Sequence, residues 1–267
     1  MKKITLFIFL SLLISLMVNS CDQKQEQTLE KKQRRTAPKG MISFSNYLWK
    51  INVDSNIIKS HPSPVFVDDN DFLHLKIIKI DTGWVGCEII SDTVFGYGDF
   101  VFYTATKFDE MEKNVIVSLT GLNLNAATKE DLSELGVRFS FWGMAENKNS
   151  LQYYITPYDA NEKKAKYSYP PEPLTMKGAW STHTFGVKDS EIKFASYHDH
   201  GNPTQWVINK FSLKKEQNKT AKETDIQFLN PGNQMKISIS LKLIGNAPAN
   251  QKEVELMLKK FEFVPQK

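Results

Sequence analysis

At 267 residues, with 41% hydrophobic and 12% aromatic side chains, the chain can bury one large core and has the bulk character of an ordinary soluble fold. Its formal net charge is +4, of which Lys2 and Lys3 carry two, so the remainder is close to neutral, has no basic stripe and speaks against nucleic acid as a partner.

The chain starts with a processing signal. Lys2 and Lys3 precede the apolar run Ile4 to Val18, which is too short for a comfortable membrane span and stops at Asn19, Ser20 and Cys21. That pattern reads as a signal peptide over residues 1–20. Val18, Asn19, Ser20 and Cys21 resemble a bacterial lipobox, although Asn19 departs from the usual pattern. The resemblance implies that Cys21 is diacylated and becomes the new N-terminus. The protein would then sit in the cell envelope, held to a bacterial membrane by lipid and without a spanning helix. Cys87 is left with no disulfide partner, and its neighbours Trp84, Val85 and Ile89 suggest a buried structural thiol.

Residues 21–40 are rich in Gln, Lys, Glu and Arg and hold scarcely any apolar surface, so they read as a tether. The folded domain spans 41–267. From Met41 onward short β-like runs alternate with Asn, Asp, Gly and Pro punctuation. Strands are expected near 42–53, 72–80, 84–91, 94–107, 113–121, 134–142, 151–157, 182–187, 190–197, 204–213, 235–244 and 253–264. With no convincing amphipathic helix, a sandwich or barrel remains. Ile237, Ile239, Leu241 and Leu243 share one face of their strand, and Lys236, Ser238, Ser240 and Lys242 the other. Ala160 to Met176, with Tyr167, Tyr169, Pro170, Pro171 and Pro173, reads as a rigid loop of the kind that borders a site. Lys214 to Glu223 reads as an exposed loop, and no internal repeat is present.

The stretch Glu134 to Gly143, ELGVRFSFWG, carries most of the functional information. Leu135, Val137, Phe139 and Phe141 alternate onto one side, and Glu134, Gly136, Arg138, Ser140 and Trp142 onto the other. In order and spacing, FSNYLWKI, GYGDFVFYT, NVIVSLTGL, ELGVRFSFWG, LQYYITPY, STHTFGV, EIKFASY and ISLKLIGNAP resemble the bacterial branch of glycoside hydrolase family 16. The resemblance covers about Ile42 to Val264. It implies an all-β, concanavalin A-like β-jelly-roll sandwich of two antiparallel sheets.

Members of that family read Glu, apolar, Asp, apolar, Glu on the central strand. One Glu is the nucleophile of a retaining mechanism, and the other is the general acid and then base. The resemblance puts Glu134 at the nucleophile position, Gly136 at the middle one and Arg138 at the acid position. Two of three carboxylates are therefore replaced, and an arginine cannot lend a proton near neutral pH. Paired to Glu134, Arg138 would hold that carboxylate ionised. A register slipped by four residues would use Glu130 and Glu134 with Leu132 between them. It would also turn Asp131 and Ser133 toward the core and break the link to Phe139, Ser140, Trp142 and Gly143.

Ser240 and Lys242 stand where relatives carry an Asn and a Trp, so an aromatic platform gives way to a flexible cation. The residues expected to contact a ligand are Arg138, Trp142, Tyr153 and Lys242, with Trp180 and Trp206 unplaced. Trp49, Trp84 and Trp206 sit in β-like runs that suggest packing. Tyr197, His198, Asp199, His200 and Gly201 form the densest set of metal-ligand types, but His-Asp-His-Gly-Asn-Pro reads as a tight turn, and no metal or cofactor is expected. Gly96 and Gly98 have no helix after them and make no phosphate loop.

Three functions stay open. The first is a carbohydrate-binding protein without hydrolytic activity. The second is an active retaining glycosidase or transglycosylase on β-linked polysaccharide, pairing Glu134 with Glu88, Glu146 or Asp159. The third is a structural or protein-interaction lipoprotein. A polysaccharide or other glycan, and the membrane through the N-terminal lipid, are the expected partners.

Overall fold

Period-two alternation of apolar residues forces strands, because only a pleated strand can bury every second side chain against one layer. A computed structural model of the chain describes residues 37–53, 61–123, 134–144, 146, 149–156, 167–168, 172–188, 191–201, 207–214, 235–245 and 247–266. Among these residues two antiparallel sheets stack face to face.

The first sheet runs in the order β1 (Met41–Phe44), β2 (Tyr47–Asn52), β6 (Cys87–Ser91), β16 (Met235–Leu243), β8 (Val115–Asn123), β9 (Glu134–Phe139), β10 (Asn149–Thr156) and β11 (Tyr167–Ser168), with β12 (Glu172–Pro173) also on β10. The second runs β15 (Val207–Lys214), β14 (Glu191–His198), β13 (Trp180–Val187), β7 (Gly98–Ala105), β17 (Val254–Pro265), β4 (Leu73–Ile80) and β3 (Val65–Val67), with β5 (Gly83–Val85) on β4. β16 inserts between β6 and β8, and β17 between β7 and β4, so late strands complete sheets begun by early ones. This is the jelly-roll sandwich that the sequence leads one to expect.

Two expected strands are interrupted. The stretch 42–53 is a hairpin whose two-residue turn, Ser45 and Asn46, has φ of 52° and 65°, the left-handed backbone that tight hairpin turns require. The stretch 84–91 breaks at Gly86 into β5, paired with β4, and β6, paired with β2 and β16. Within the proline-rich stretch Tyr167–Ser168 and Glu172–Pro173 add short strands to β10; residues 160–166 and 169–171 lie outside the described residues. So do residues 215–223, most of the expected exposed loop.

The core lies between the sheets. Leu135, Val137 and Phe139 of β9 and Val117 and Leu119 of β8 face inward, against Phe100, Phe102, Phe185 and Phe261 of the second sheet. Each such side chain contributes roughly 1.5–3 kcal/mol by leaving water. Trp49 is fully buried and donates its indole N–H to the Phe44 carbonyl oxygen at 3.0 Å, in keeping with a packing role. Cys87 is buried too, and burial pushes its thiol up to about 12, so no thiolate is available for chemistry.

One polar chain threads this apolar layer. Tyr153 Oη donates to Ser196 Oγ at 3.0 Å, Ser196 Oγ meets His183 Nδ1 at 2.8 Å, and His183 Nε2 meets Ser181 Oγ at 2.8 Å. Ser181 Oγ in turn lies 2.7 Å from Thr104 Oγ1, which donates to the Ser181 carbonyl oxygen at 3.1 Å. Each hydroxyl along this chain can both give and accept a hydrogen bond, so both ring nitrogens of the neutral His183 are engaged. It ties β10 of the first sheet to β13, β14 and β7 of the second.

Burial, reinforced by His200 and His198, pushes His183 from its ordinary 6.5 down to about 3. Between those values the unfolded chain binds a proton that the folded chain refuses, so acidification favours unfolding; above 6.5 neither state is protonated and the effect vanishes. Stability should fall by about 1.4 kcal/mol per pH unit below pH 6.5 on account of this ring. Urea midpoints across that range should show the slope, and His183→Gln should flatten it; an unchanged slope would rule out His183 as its source.

Candidate functional site

The alternation that sends Leu135, Val137 and Phe139 inward turns Glu134, Gly136 and Arg138 onto the outer face of the first sheet. Strand register then lines polar residues into rows. One row is Asn52, Glu88, Ser240, Ser118, Arg138 and Gln152, across β2, β6, β16, β8, β9 and β10. The adjacent row is Lys50, Ile90, Ser238, Thr120, Gly136 and Tyr154. Six strands make a floor roughly 24 Å wide.

Arg138 sits on the fifth of these six strands with its guanidinium 4.0 Å over the Tyr154 ring. Tyr154 Oη is 2.5 Å from Thr120 Oγ1, so a cation–π contact and a buried hydroxyl pair hold the arginine in place. Arg138 Nε is buried and meets no hydrogen-bond acceptor among the described residues. At the middle position a Cβ on Gly136 would run into the Leu119 carbonyl oxygen of the neighbouring strand. The close approach of β8 and β9 therefore leaves no room for a side chain at this position.

Burial raises the Glu134 carboxyl above the ordinary carboxylate range; Arg138 and Lys242 pull it the other way, and Glu88 adds to the rise. Desolvation outweighs the two cations in setting the direction, so Arg138 does not draw this carboxyl below its ordinary range. Glu88 accepts from Ser238 Oγ at 2.5 Å, Asn52 Nδ2 at 2.8 Å and Lys242 Nζ at 3.2 Å. Lys242 thus reaches the floor, as expected, but as a partner of Glu88. Register sets Glu88 level with Arg138 and three strand spacings from β9, not opposite Glu134.

One expected ligand contact is corrected, and a second lies beyond the strand end. Tyr153 is 1% exposed, hydrogen-bonded to Ser196 and stacked on Phe194, so it belongs to the core. Its register partner is Val137, an inward residue, whereas Tyr154 opposite Gly136 faces outward. Trp142 does not continue the Glu134 face, because β9 ends at Phe139. It lies in a turn at φ 53°, its N–H donating to Ser140 Oγ at 3.0 Å, and its side chain is exposed. Phe141, beyond the strand end, is only half-buried.

Glu146 is exposed and outside any strand; Asp159, Trp206 and the slipped-register residues 130–133 lie outside the described residues. Trp84 packs partly buried against the core. Trp180 opens β13 on the other sheet, exposed, with Phe72 and His200 at its ring and Lys259 Nζ 5.1 Å above it. Asp199 adopts φ 61° just after β14, and His200 Nε2 lies 2.8 Å from the Thr104 carbonyl oxygen, so the His-Asp-His segment is a turn whose second imidazole is engaged. Sequence reasoning missed Tyr154, Thr120, Ser238 and Asn52. Only the pairing register separates Tyr154 from Tyr153.

No family model and no curated protein sequence matches the chain. Its fold, however, recurs among solved glycosidases. One chain comes from work on endo-acting O-glycanases that members of the human gut microbiota express to initiate mucin breakdown; it aligns at TM-score 0.59 and 11% identity, over 86% of this chain and 96% of that one. The immunostimulatory antigen and pseudo β-1,3-glucanase of Mycobacterium tuberculosis aligns at 0.56 and 16%, over 78% and 80%. The glycoside hydrolase family 16 endo-glucanase from Bacteroides ovatus aligns at 0.56 and 10%, over 81% and 94%. At these identities the likeness is one of fold, a family 16-like jelly roll.

The tight spot at Gly136 makes a prediction about the strand pair beneath the site. Gly136→Ala should cost roughly 1–3 kcal/mol, because the added methyl must push β8 and β9 apart. A urea midpoint equal to that of the wild type would mean that the two strands are not held this close.

Proposed function

We propose that this protein uses its glucanase-type jelly roll to bind glycans without cleaving them. The carrying observation is the Arg138 guanidinium stacked on Tyr154 at the acid position of the floor. Retaining cleavage needs two carboxyl groups roughly 5–5.5 Å apart, one of them able to give and take a proton. A guanidinium does neither near neutral pH. Glu88 is engaged by three donors and its backbone stands away from Glu134, so it is a poor substitute. What remains suits recognition: a fixed cation, the part-exposed Ser118 and exposed Asn52, and a Glu134 carboxyl that can accept from a sugar hydroxyl. That solved neighbours include a pseudo β-1,3-glucanase and a laminarinase bound to laminaritriose and laminaritetraose supports a β-linked glycan as ligand.

One observation favours the rival reading, an active enzyme. The raised Glu134 carboxyl is what a general acid requires. Reducing-end assays on β-glucans, galactans and xylans separate the two. The wild-type chain should release none and should bind at least one by calorimetry. Arg138→Ala should weaken that binding tenfold or more, since a charge-assisted hydrogen bond is worth roughly 1.5–3 kcal/mol. New reducing ends that disappear in Glu134→Gln would establish hydrolysis instead, and absence of binding to every glycan would leave a structural or protein-interaction role.

We also infer that Cys21 carries lipid and anchors the domain to a bacterial membrane, a reading supported by the charged, apolar and Cys-terminated leader. In cells labelled with a fatty acid, the wild type should take up label and fractionate with membranes, and Cys21→Ala should do neither. Labelled Cys21→Ala would refute the assignment.

A further inference from the structure

The outer face of the second sheet carries a trough that the reading above does not use. It follows β13, whose outward residues Thr182, Thr184 and Gly186 are small and form its floor. Neighbouring strands supply the walls in register: Tyr103 and Tyr197 flank Thr182, Val101 and Ala195 flank Thr184, and Asp99 and Lys193 flank Gly186. The cavity measures about 690 Å³, within the range of small-ligand sites.

Each end of the trough has its own chemistry. At one end the two tyrosines stand two strands apart, roughly 10 Å, with a hydroxyl between them. Tyr103 is braced from outside: its Oη donates to Glu262 Oε2 at 3.1 Å, and the His200 ring meets it edge-on at 5.4 Å. At the other end the Asp99 carboxylate leans over Gly186, where any Cβ would strike its Oδ1. Gly186 therefore opens the floor and lets an acceptor reach into it. Thr182 Oγ1 donates to the Asp199 carbonyl oxygen at 2.8 Å and keeps lone pairs toward the trough.

We propose that this trough is a second glycan-binding site, independent of the Arg138 floor, which takes a neutral oligosaccharide lying along β13 between Tyr103 and Tyr197. A sugar chain presents apolar ring faces and a rim of hydroxyls, and paired tyrosines with a carboxylate, an ammonium and hydroxyls complement both. A peptide cannot add here as a strand, because β13 is already paired on both sides. A polyanion is disfavoured by the near balance of Asp99 and Glu262 against Lys193 and Lys260. Two sites on opposite faces would let one domain hold two chains, or two stretches of one chain, and gain avidity.

Native electrophoresis of the purified full chain in gels containing laminarin, mixed-linkage β-glucan, galactan or xylan tests this. In the Arg138→Ala background at least one polymer should still retard the protein, and adding Tyr103→Ala and Tyr197→Ala should abolish that retardation. Thr184→Trp, which fills the floor and leaves the walls intact, should do the same with unchanged melting. Retardation that persists at full strength in both trough variants, or that is absent in Arg138→Ala alone, would overturn the second site. If only the floor reading fails, Arg138→Ala will run as the wild type while the trough variants run free.

Discussion

Each of the two sheets must hide one face from water, and that obligation decides what the other face can offer. On β9 the burial of Leu135, Val137 and Phe139 commits Glu134, Gly136 and Arg138 to the outside. On β13 the burial of Ser181, His183 and Phe185 commits Thr182, Thr184 and Gly186 likewise. Both candidate glycan sites are the reverse sides of the same core. The hydrogen-bonded chain from Tyr153 to Thr104 strengthens the coupling, because a satisfied polar network inside an apolar layer admits one alignment of the sheets and penalises others.

The outer floor of the first sheet sets a fixed guanidinium among hydroxyls, amides and carboxyl groups. Gly136 is held bare by the Leu119 carbonyl, and Arg138 is braced by Tyr154, itself joined to Thr120. The arginine is therefore integrated into its surroundings. Replacing it with Glu would strand the Tyr154–Thr120 pair beside a new carboxylate. The Glu134 carboxyl keeps a raised affinity for its proton, and Glu88, whose charge adds to that rise, is engaged by Ser238, Asn52 and Lys242.

Much of this was legible beforehand, for a physical reason. Strand faces repeat every two residues, so single strands announce their inward and outward sides, and the inward sides expected of β9 and of Ile237, Ile239 and Leu241 on β16 are buried. Consecutive aromatics defeat that reading. In Tyr153-Tyr154 the alternation is ambiguous, and only pairing with Val137 and Gly136 assigns the first to the core and the second to the floor. Trp142 fails differently: alternation was extended past the strand end, where the backbone at φ 53° has already turned.

The sequence by itself determined the all-β architecture, the buried thiol of Cys87 and the permanent positive charge of Arg138 on the outer face of its strand, because each follows from local pattern or side-chain chemistry. Only the tertiary structure decided that Glu134 is raised and not lowered, that Glu88 and Lys242 are partners, and that a trough lies along β13. Those outcomes depend on which strands stand side by side, and the hydrogen-bonded side chains concerned lie up to 159 residues apart in the chain. Desolvation and cross-strand register are properties of that assembly, and no window of sequence contains them.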